Sequence, residues 1–533
     1  QKRSSEAASL GFLEDLKWLG ITWDEGPESD GPDGKKLGGG PNGPYFQSQR
    51  LDIYNDCIER LIASGHAYRA FENPEELNAA RQKAQAEKRN YRYDRAALKL
   101  SPEMIKQYME EGRPHVVRFR VPDSGEVVVH DQVRGEVVTH FTELDDFVIR
   151  KADGYPMYNF AVVVDDEMMQ VTHIIRAQEH LSNTPRHILL QQALGFRMPV
   201  YAHVSIITNP DGSKMSKRDK DKSLRAEVKK RTLASSPVDP MSGHPIIVPD
   251  RWNWWQSNKD HQLDLNEAEA LAKVLNITLP EINVDDFRRN GYLPEVMINY
   301  LALLGWNPGE NVEKFDLAFL KERFDFDRVI KSPAAFDRNK LLAFNADAIL
   351  AMPPETFEQR LREHCERYHP GMVEKLGDRF GLFARTNQSR SKTLEHQIGP
   401  SRFFIMPDDA IVYDKGKAID DALIKTVAES DGASAGAAAG AGAGANGLHH
   451  LEAIIPVLEG VSPWEPRAIE SAVKQYAEAR AQNKMGLVAQ PLRIAVTGGT
   501  VSPAIFDTLA ILGRTSTLHR IWRCIDLHSV NTR

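Results

Sequence analysis

The chain has 533 residues, 41% hydrophobic and 26% charged, which excludes a mainly disordered polypeptide and leaves room for roughly three or four domains. A net charge of −7 excludes a uniformly basic nucleic-acid coat, although clustered Lys and Arg can still hold phosphates. No apolar run reaches the ~18 residues of a membrane span, and Cys57, Cys365 and Cys524 lie too far apart for a disulfide framework or a zinc ribbon, which fits a reducing cytoplasm.

The chain begins at Gln1, without a start methionine or signal peptide. In Leu10–Leu19 the residues Phe12, Leu13, Leu16 and Leu19 recur at helical spacing. Thr22–Pro44, rich in Gly, Pro and acids, reads as a loop. Leu51, Tyr54, Ile58, Leu61 and Ile62 form one face of a second helix, with Gly65 as its stop. Residues 73–113 are charged with helical runs. The period then becomes two: Val117, Phe119 and Val121 alternate with Arg118 and Arg120, and Glu126–His130 and Phe141–Arg150 also read as strands. Together these predict a small α+β module inserted into a larger domain.

The runs Phe160–Val164, Val171–Ile175 and Val200–Ile207 suit parallel strands buried on both faces. A helix with Thr184 as N-cap and Pro185 at its first position separates the last two. This alternation predicts a doubly wound sheet, with ligands beyond the C-terminal strand ends. Residues 226–285 show no clear period despite Trp252, Trp254 and Trp255. The pattern is helical from 290, in Val296–Leu304, Leu317–Phe324, Lys340–Leu350, Glu355–His364 and Arg467–Gln482, and Asp431–Gly447 is a Gly/Ala tract with the composition of a flexible insertion.

The chemistry concentrates at Asn209–Asp219, N-P-D-G-S-K-M-S-K-R-D. A turn precedes Lys214, Ser216, Lys217 and Arg218, so a cluster of cations beside a hydroxyl lies just past a buried strand. Such a loop suits a triphosphate, whose charge grows on the departing pyrophosphate. The plain alternative is a solvated basic turn.

K-M-S-K-R resembles the second signature of class I aminoacyl-tRNA synthetases. The stretches Asp145–Asp166, Val171–His180, Tyr45–Tyr54, Gly291–Trp306, Gln490–Gly498 and Ser502–Gly513 are similar to bacterial-type glutamyl-tRNA synthetase, so the likeness covers most of the chain. It implies a Rossmann-type catalytic domain in two parts, 1–70 and 151–225, split by an acceptor-binding module at 71–150. An insertion and stem-contact region at 226–345 and an all-α anticodon-binding half at 346–533 complete the fold.

The implied reaction joins glutamate to ATP, with Mg²⁺ on the phosphates, and passes the acyl group to the 3′ end of tRNA(Glu). The implied state is a cytoplasmic monomer with no membrane contact. By the same resemblance Lys214, Ser216, Lys217 and Arg218 are catalytic, Lys217, Glu179 and Ile207 meet ATP, and Tyr158, Asn159 and Arg176 hold glutamate. Arg176 suits a carboxylate because guanidinium binds it bidentately; the plain alternative is an ion pair with Glu179 or Asp166. No metal-ligand set stands out. Some family members hold zinc through Cys-x-Cys, but the equivalent here is Tyr68–Phe71, so no zinc is expected there. Asp165–Asp166, taken as adjacent strand residues, fit a turn or cap, and His449–His450 a loop. Arg118, Arg120, Arg288, Arg289, Arg467, Lys474, Arg480, Lys484 and Arg493 are candidate RNA contacts, though each alone is more often a solvated charge.

The family's first signature, H-I-G-H, is absent. The resemblance places it before Gln1, so the chain as written is expected to be inactive or nearly so, either as an incomplete piece of a working enzyme or as a degenerate tRNA-binding paralogue. Glutaminyl-tRNA synthetase shares the catalytic fold but carries C-terminal β-barrels, against the helical pattern here.

Overall fold

The structure, a computed structural model, describes residues 6–31, 34–88, 93–239, 242–414, 416–425 and 446–529. Two compact units emerge: residues 1–282 with 297–337, and residues 283–296 with 338–533.

The first unit is α/β. Its central sheet has the order β6-β5-β9-β8, from β5 (Glu126–Asp131), β6 (Gly135–His140), β8 (His173–Ala177) and β9 (Val200–Val204). β8 and β9 run parallel, and their register sets Arg176 opposite His203. β5 joins β9 in parallel at Asp131↔Tyr201 and forms an antiparallel hairpin with β6. A separate sheet β3-β4-β7 combines β3 (Ala67–Ala70), β4 (Val116–Phe119) and β7 (Val148–Arg150). The strands read from sequence between 115 and 150 therefore divide between two sheets, and the β5–β6 hairpin belongs to the one that carries Arg176.

Several segments differ from the sequence reading. Thr22–Pro44 contains an antiparallel hairpin, β1 (Gly26–Asp30) with β2 (Lys36–Gly39). Gly38 is what permits it: a Cβ there would lie 2.3 Å from the Pro27 carbonyl oxygen, and its φ is +76°. Phe160–Val164 is not a strand but part of the helix Tyr158–Met168. A continuous apolar run of that length fits a buried helix as well as a strand. Its Phe160, Ala161, Val163 and Val164 pack with Tyr54, Ile58 and Leu61 of the helix Leu51–Ala63 and with Val117 and Phe119 of β4. Asp165 and Asp166 are thus helical. Asp165 accepts from Arg50 Nε and Tyr54 Oη, both at 2.7 Å, rather than capping a turn. The helix Thr184–Leu194 has Asn183, not Thr184, at its N-cap position, with no side-chain cap bond, and the Thr184 hydroxyl makes other contacts.

The unassigned stretch 226–285 contains helices joined by irregular segments among the described residues. Pro249–Ser257 and Leu265–Leu275 pack on the helix Arg218–Lys230 through Leu224, Val228, Trp252, Trp255, Leu271 and Leu275. Trp255 is fully buried and donates its indole N–H to Asp221 at 2.7 Å. Short strands β10 (Ile207–Thr208) and β11 (Ala334–Ala335) pair in parallel beside the main sheet.

In the second unit every regular element among the described residues is helical. His449–His450 lies in the helix Gly447–Glu459, not a loop, and the buried His450 ring meets the Tyr476 hydroxyl at 3.1 Å. Most of the Gly/Ala tract lies outside the described residues. Glu395 Oε2 accepts from His364 Nε2 at 2.9 Å and His369 Nε2 at 2.7 Å, closing the end of the helix Pro354–Tyr368 onto a later loop. Burial pushes the Glu395 carboxyl up, but the two imidazole contacts outweigh it, so it titrates below the usual carboxylate range. A depressed carboxylate stabilises the fold above its unfolded pKa, and that contribution is lost as pH falls through the lower folded value. The thermal midpoint is therefore expected to drop on acidification below about pH 4.5, and Glu395→Gln to remove that part of the drop, as read by calorimetry across a pH series.

Candidate functional site

The site forms at the C-terminal edge of β8 and β9, where a doubly wound sheet binds ligands. Arg176 lies near the end of β8. Its Nε donates to His203 Nε2 at 3.2 Å. Its Nη2 lies 2.9 Å from the Thr184 hydroxyl, 3.3 Å from His187 Nδ1 and 3.4 Å from the His180 carbonyl oxygen. Neither Glu179 nor Asp166 forms the ion pair considered from sequence: among the described residues no carboxylate lies within 4 Å of this guanidinium. Asp166 is nearby without a hydrogen bond, and burial pushes its carboxyl up to about 6 despite the field of Arg176.

The two imidazoles that meet Arg176 are held neutral for a physical reason. Burial, then the charge of Arg176, depresses His187 to about 3. Burial also depresses His203, outweighing the buried Asp131 carboxylate that lies 2.5 Å from its Nδ1. Asn159 meets His187 Nε2 through its Oδ1 at 3.0 Å. Tyr158 is half exposed, its ring centroid 6.0 Å from that of His180 and 6.2 Å from that of His187. The three residues expected to hold glutamate, Tyr158, Asn159 and Arg176, thus meet around His187. Sequence reading missed His187, His203, Thr184 and Asp131. A usable signal was His203 itself, a polar residue within an otherwise apolar buried run.

The signature loop lies against the same edge. Gly212, at φ +81°, closes the turn that returns its N–H to Asn209 at 2.9 Å. Buried Asp219 organises the rest of the loop: its Oδ2 accepts from the Ser216 backbone at 2.8 Å and from Asn209 Nδ2 at 3.0 Å. Burial pushes the Asp219 carboxyl up, but the donors Asn209 and Lys222 hold it below the usual range. Lys214 pairs with Glu179, two residues after β8, which ties the loop to the Arg176 edge. Arg218 pairs with Asp260 at 3.0 Å. Lys217 is exposed at the N-terminus of the helix Arg218–Lys230 and, among the described residues, has no ion-pair or hydrogen-bond partner. Ile207, expected near ATP, is a half-buried residue of β10 beside the loop.

Other candidates resolve differently. Arg118 does not face phosphates: it is buried over the Tyr93 ring at 4.0 Å and donates to the Asp146 carbonyl at 2.9 Å. Arg120 is exposed. Arg288 and Arg289 both pair with Asp285, Lys474 pairs with Glu470 at 2.6 Å, and Arg493 donates to Ser502 at 3.0 Å. At the position of the family's Cys-x-Cys, Tyr68 donates to Asp146 and Arg69 to Glu59. Among the described residues one trio has metal-ligand chemistry, His364, His369 and Glu395, with donor atoms within 4.8 Å of one another; sequence spacing gave no sign of it. Its contacts are hydrogen-bond separations. No helix among the described residues is long and apolar enough to cross a membrane.

Comparison with known proteins is consistent along the chain. The family described as tRNA synthetases class I (E and Q), catalytic domain, matches residues 1–236 and 278–343, and an anticodon binding domain family matches 357–525. Residues 237–277, most of the helical insertion, fall between the matched stretches. The chain is 31% identical over 525 residues to a glutamate–tRNA ligase 1 of Syntrophomonas wolfei, covering 98% of this chain and 87% of that protein. It is 32% identical over 530 residues to a glutamate–tRNA ligase of Carboxydothermus hydrogenoformans, covering 98% and 90%. A crystal structure of a glutamate tRNA ligase from Elizabethkingia meningosepticum, in complex with its amino acid, superposes with a TM-score of 0.68 at 25% identity, covering 99% of this chain and 90% of that one. A helical C-terminal half, a K-M-S-K-R loop at the sheet edge and this full-length similarity place the chain in the glutamate–tRNA ligase family of class I aminoacyl-tRNA synthetases.

Proposed function

We infer that this site activates glutamate with ATP and transfers it to tRNA(Glu). The observation that carries the reading is the Arg176 guanidinium, hydrogen-bonded only by uncharged acceptors and three residues before Glu179, whose pair with Lys214 anchors the phosphate-binding loop. Arg176 receives a carboxylate of glutamate, with Tyr158 and Asn159 completing that pocket. The α-carboxylate attacks the α-phosphorus of ATP. A new oxygen–phosphorus bond forms as the bond to pyrophosphate breaks, and Lys217 neutralises the charge left on pyrophosphate. Ser216 and Lys214 shape the loop around the phosphates, with Glu179 and Ile207 on the adenosine side, and Mg²⁺ brought with ATP would add neutralising charge there. A ribose hydroxyl at the tRNA 3′ end then takes the acyl group and AMP leaves. The anticodon-binding match over 357–525 supports recognition of the far end of the tRNA.

The test is charging. Protein expressed from the full open reading frame, given ATP, Mg²⁺ and labelled glutamate, is expected to label tRNA(Glu) through an alkali-labile ester. Absence of label with glutamate, or equal label with glutamine, would falsify the reading.

A further inference from the structure

Arg176 poses a physical problem. A guanidinium that receives a carboxylate must be held in place, and the usual way to hold one is another carboxylate, which would also neutralise it. Here every hydrogen-bonding acceptor around it is uncharged: His203, His187, Thr184 and the His180 carbonyl. The carboxylate in this chain of contacts, Asp131, stands one imidazole further back, 2.5 Å from His203 Nδ1, with both side chains fully buried.

We propose that Asp131 and His203 form a positioning dyad for Arg176. Asp131 fixes the Nδ1–H form of His203, and the Nε2 lone pair that results aims the guanidinium at substrate without placing a carboxylate in hydrogen-bond contact with it. The inference rests on the reading of Arg176 as the glutamate receptor. Strand register builds the dyad, because Arg176 faces His203 across β8 and β9, and β5 ends at Asp131 beside β9. His187 is the second arm. With Asn159 Oδ1 accepting from its Nε2–H at 3.0 Å, its Nδ1 is left to accept from Arg176.

The chemistry explains why residue 131 is an acid and not its amide. Asp131 Oδ1 already accepts three backbone N–H groups, those of Val133 at 3.0 Å, Arg134 at 2.8 Å and His203 at 3.1 Å. An asparagine would give its oxygen to those donors and turn its NH₂ toward His203 Nδ1. His203 would then carry its proton on Nε2, and two N–H donors, one from His203 and one from Arg176, would face each other. The substitution preserves shape and reverses one polarity, which the imidazole passes to Arg176.

The test compares Asp131→Asn, Arg176→Ala and the double variant Asp131→Asn/His203→Gln by steady-state charging, in protein from the full open reading frame. Asp131→Asn is expected to raise the KM for glutamate by about 10- to 100-fold, the scale of a lost hydrogen bond to a charged group, while the KM for ATP stays within about 2-fold. Glutamine at 203 offers its carbonyl oxygen near the Nε2 position without help from residue 131, so the double variant is expected to recover much of the glutamate KM. A merely structural role predicts compounded damage instead. Nitrogen-15 spectra of labelled histidine are expected to show His203 as the Nδ1–H form in the wild type and the Nε2–H form in Asp131→Asn. An Nε2–H form in the wild type, additive loss in the double variant, or an unchanged glutamate KM in Asp131→Asn overturns the dyad. The wild-type spectrum keeps the test decisive even where a variant fails to fold. If Arg176→Ala leaves the glutamate KM unchanged, the reading of Arg176 itself fails. If Arg176→Ala raises it and Asp131→Asn does not, only the dyad fails.

Discussion

Replacing Lys217 with alanine is expected to slow glutamyl-adenylate formation by about 100- to 1000-fold, roughly 2.7–4 kcal/mol of transition-state stabilisation, while tRNA binding is kept. The loop cations are not equivalent. Lys214 is committed to Glu179 and Arg218 to Asp260, whereas Lys217 is exposed at a helix N-terminus with no partner among the described residues. It is therefore the cation free to meet the charge that grows on departing pyrophosphate. Pyrophosphate exchange reads the loss, and a gel-shift titration with tRNA(Glu) reads the retained binding. Normal exchange by Lys217→Ala would refute the role and move attention to Lys214.

Arg176→Ala is expected to raise the KM for glutamate by at least about 100-fold, the lower end of what two charge-assisted hydrogen bonds contribute. Arg176→Lys is expected to recover little of it. A lysine ammonium cannot reproduce a planar fork that holds His203 through Nε and Thr184 through Nη2 while meeting a carboxylate. Steady-state kinetics with glutamate varied at saturating ATP checks both variants. A lysine variant with wild-type KM would mean that charge alone, not geometry, is what the site uses.

The parts of this site that were legible in the sequence are those written as contiguous residues. The turn and cations of Asn209–Asp219 announce a phosphate loop, and Arg176 at the end of an apolar run announces a charge at a sheet edge. The rest was not legible because it depends on contacts between distant residues. Glu179 finds Lys214, Asp260 finds Arg218, and Asp131 finds His203 only after folding, with separations of 35, 42 and 72 residues. The fold shows the same division. Val200–Val204 declared itself by β-branched and aromatic content, but Phe160–Val164 was too short a run to separate a buried helix from a strand, and the Gly-rich hairpin β1–β2 had no periodic apolar face. The insertion was opaque because its order comes from outside it. Trp252 and Trp255 acquire a partner only when the helix that starts at the signature loop lies beneath them.

Activation of glutamate with ATP at this one sheet edge is read most directly by exchange of labelled pyrophosphate into ATP. The protein is expressed from the full open reading frame and given glutamate or glutamine, with or without tRNA(Glu). Exchange is expected to require glutamate, to rise when tRNA is present and to be absent with glutamine. Exchange sustained by glutamine, or none under any of these conditions, would contradict that activity.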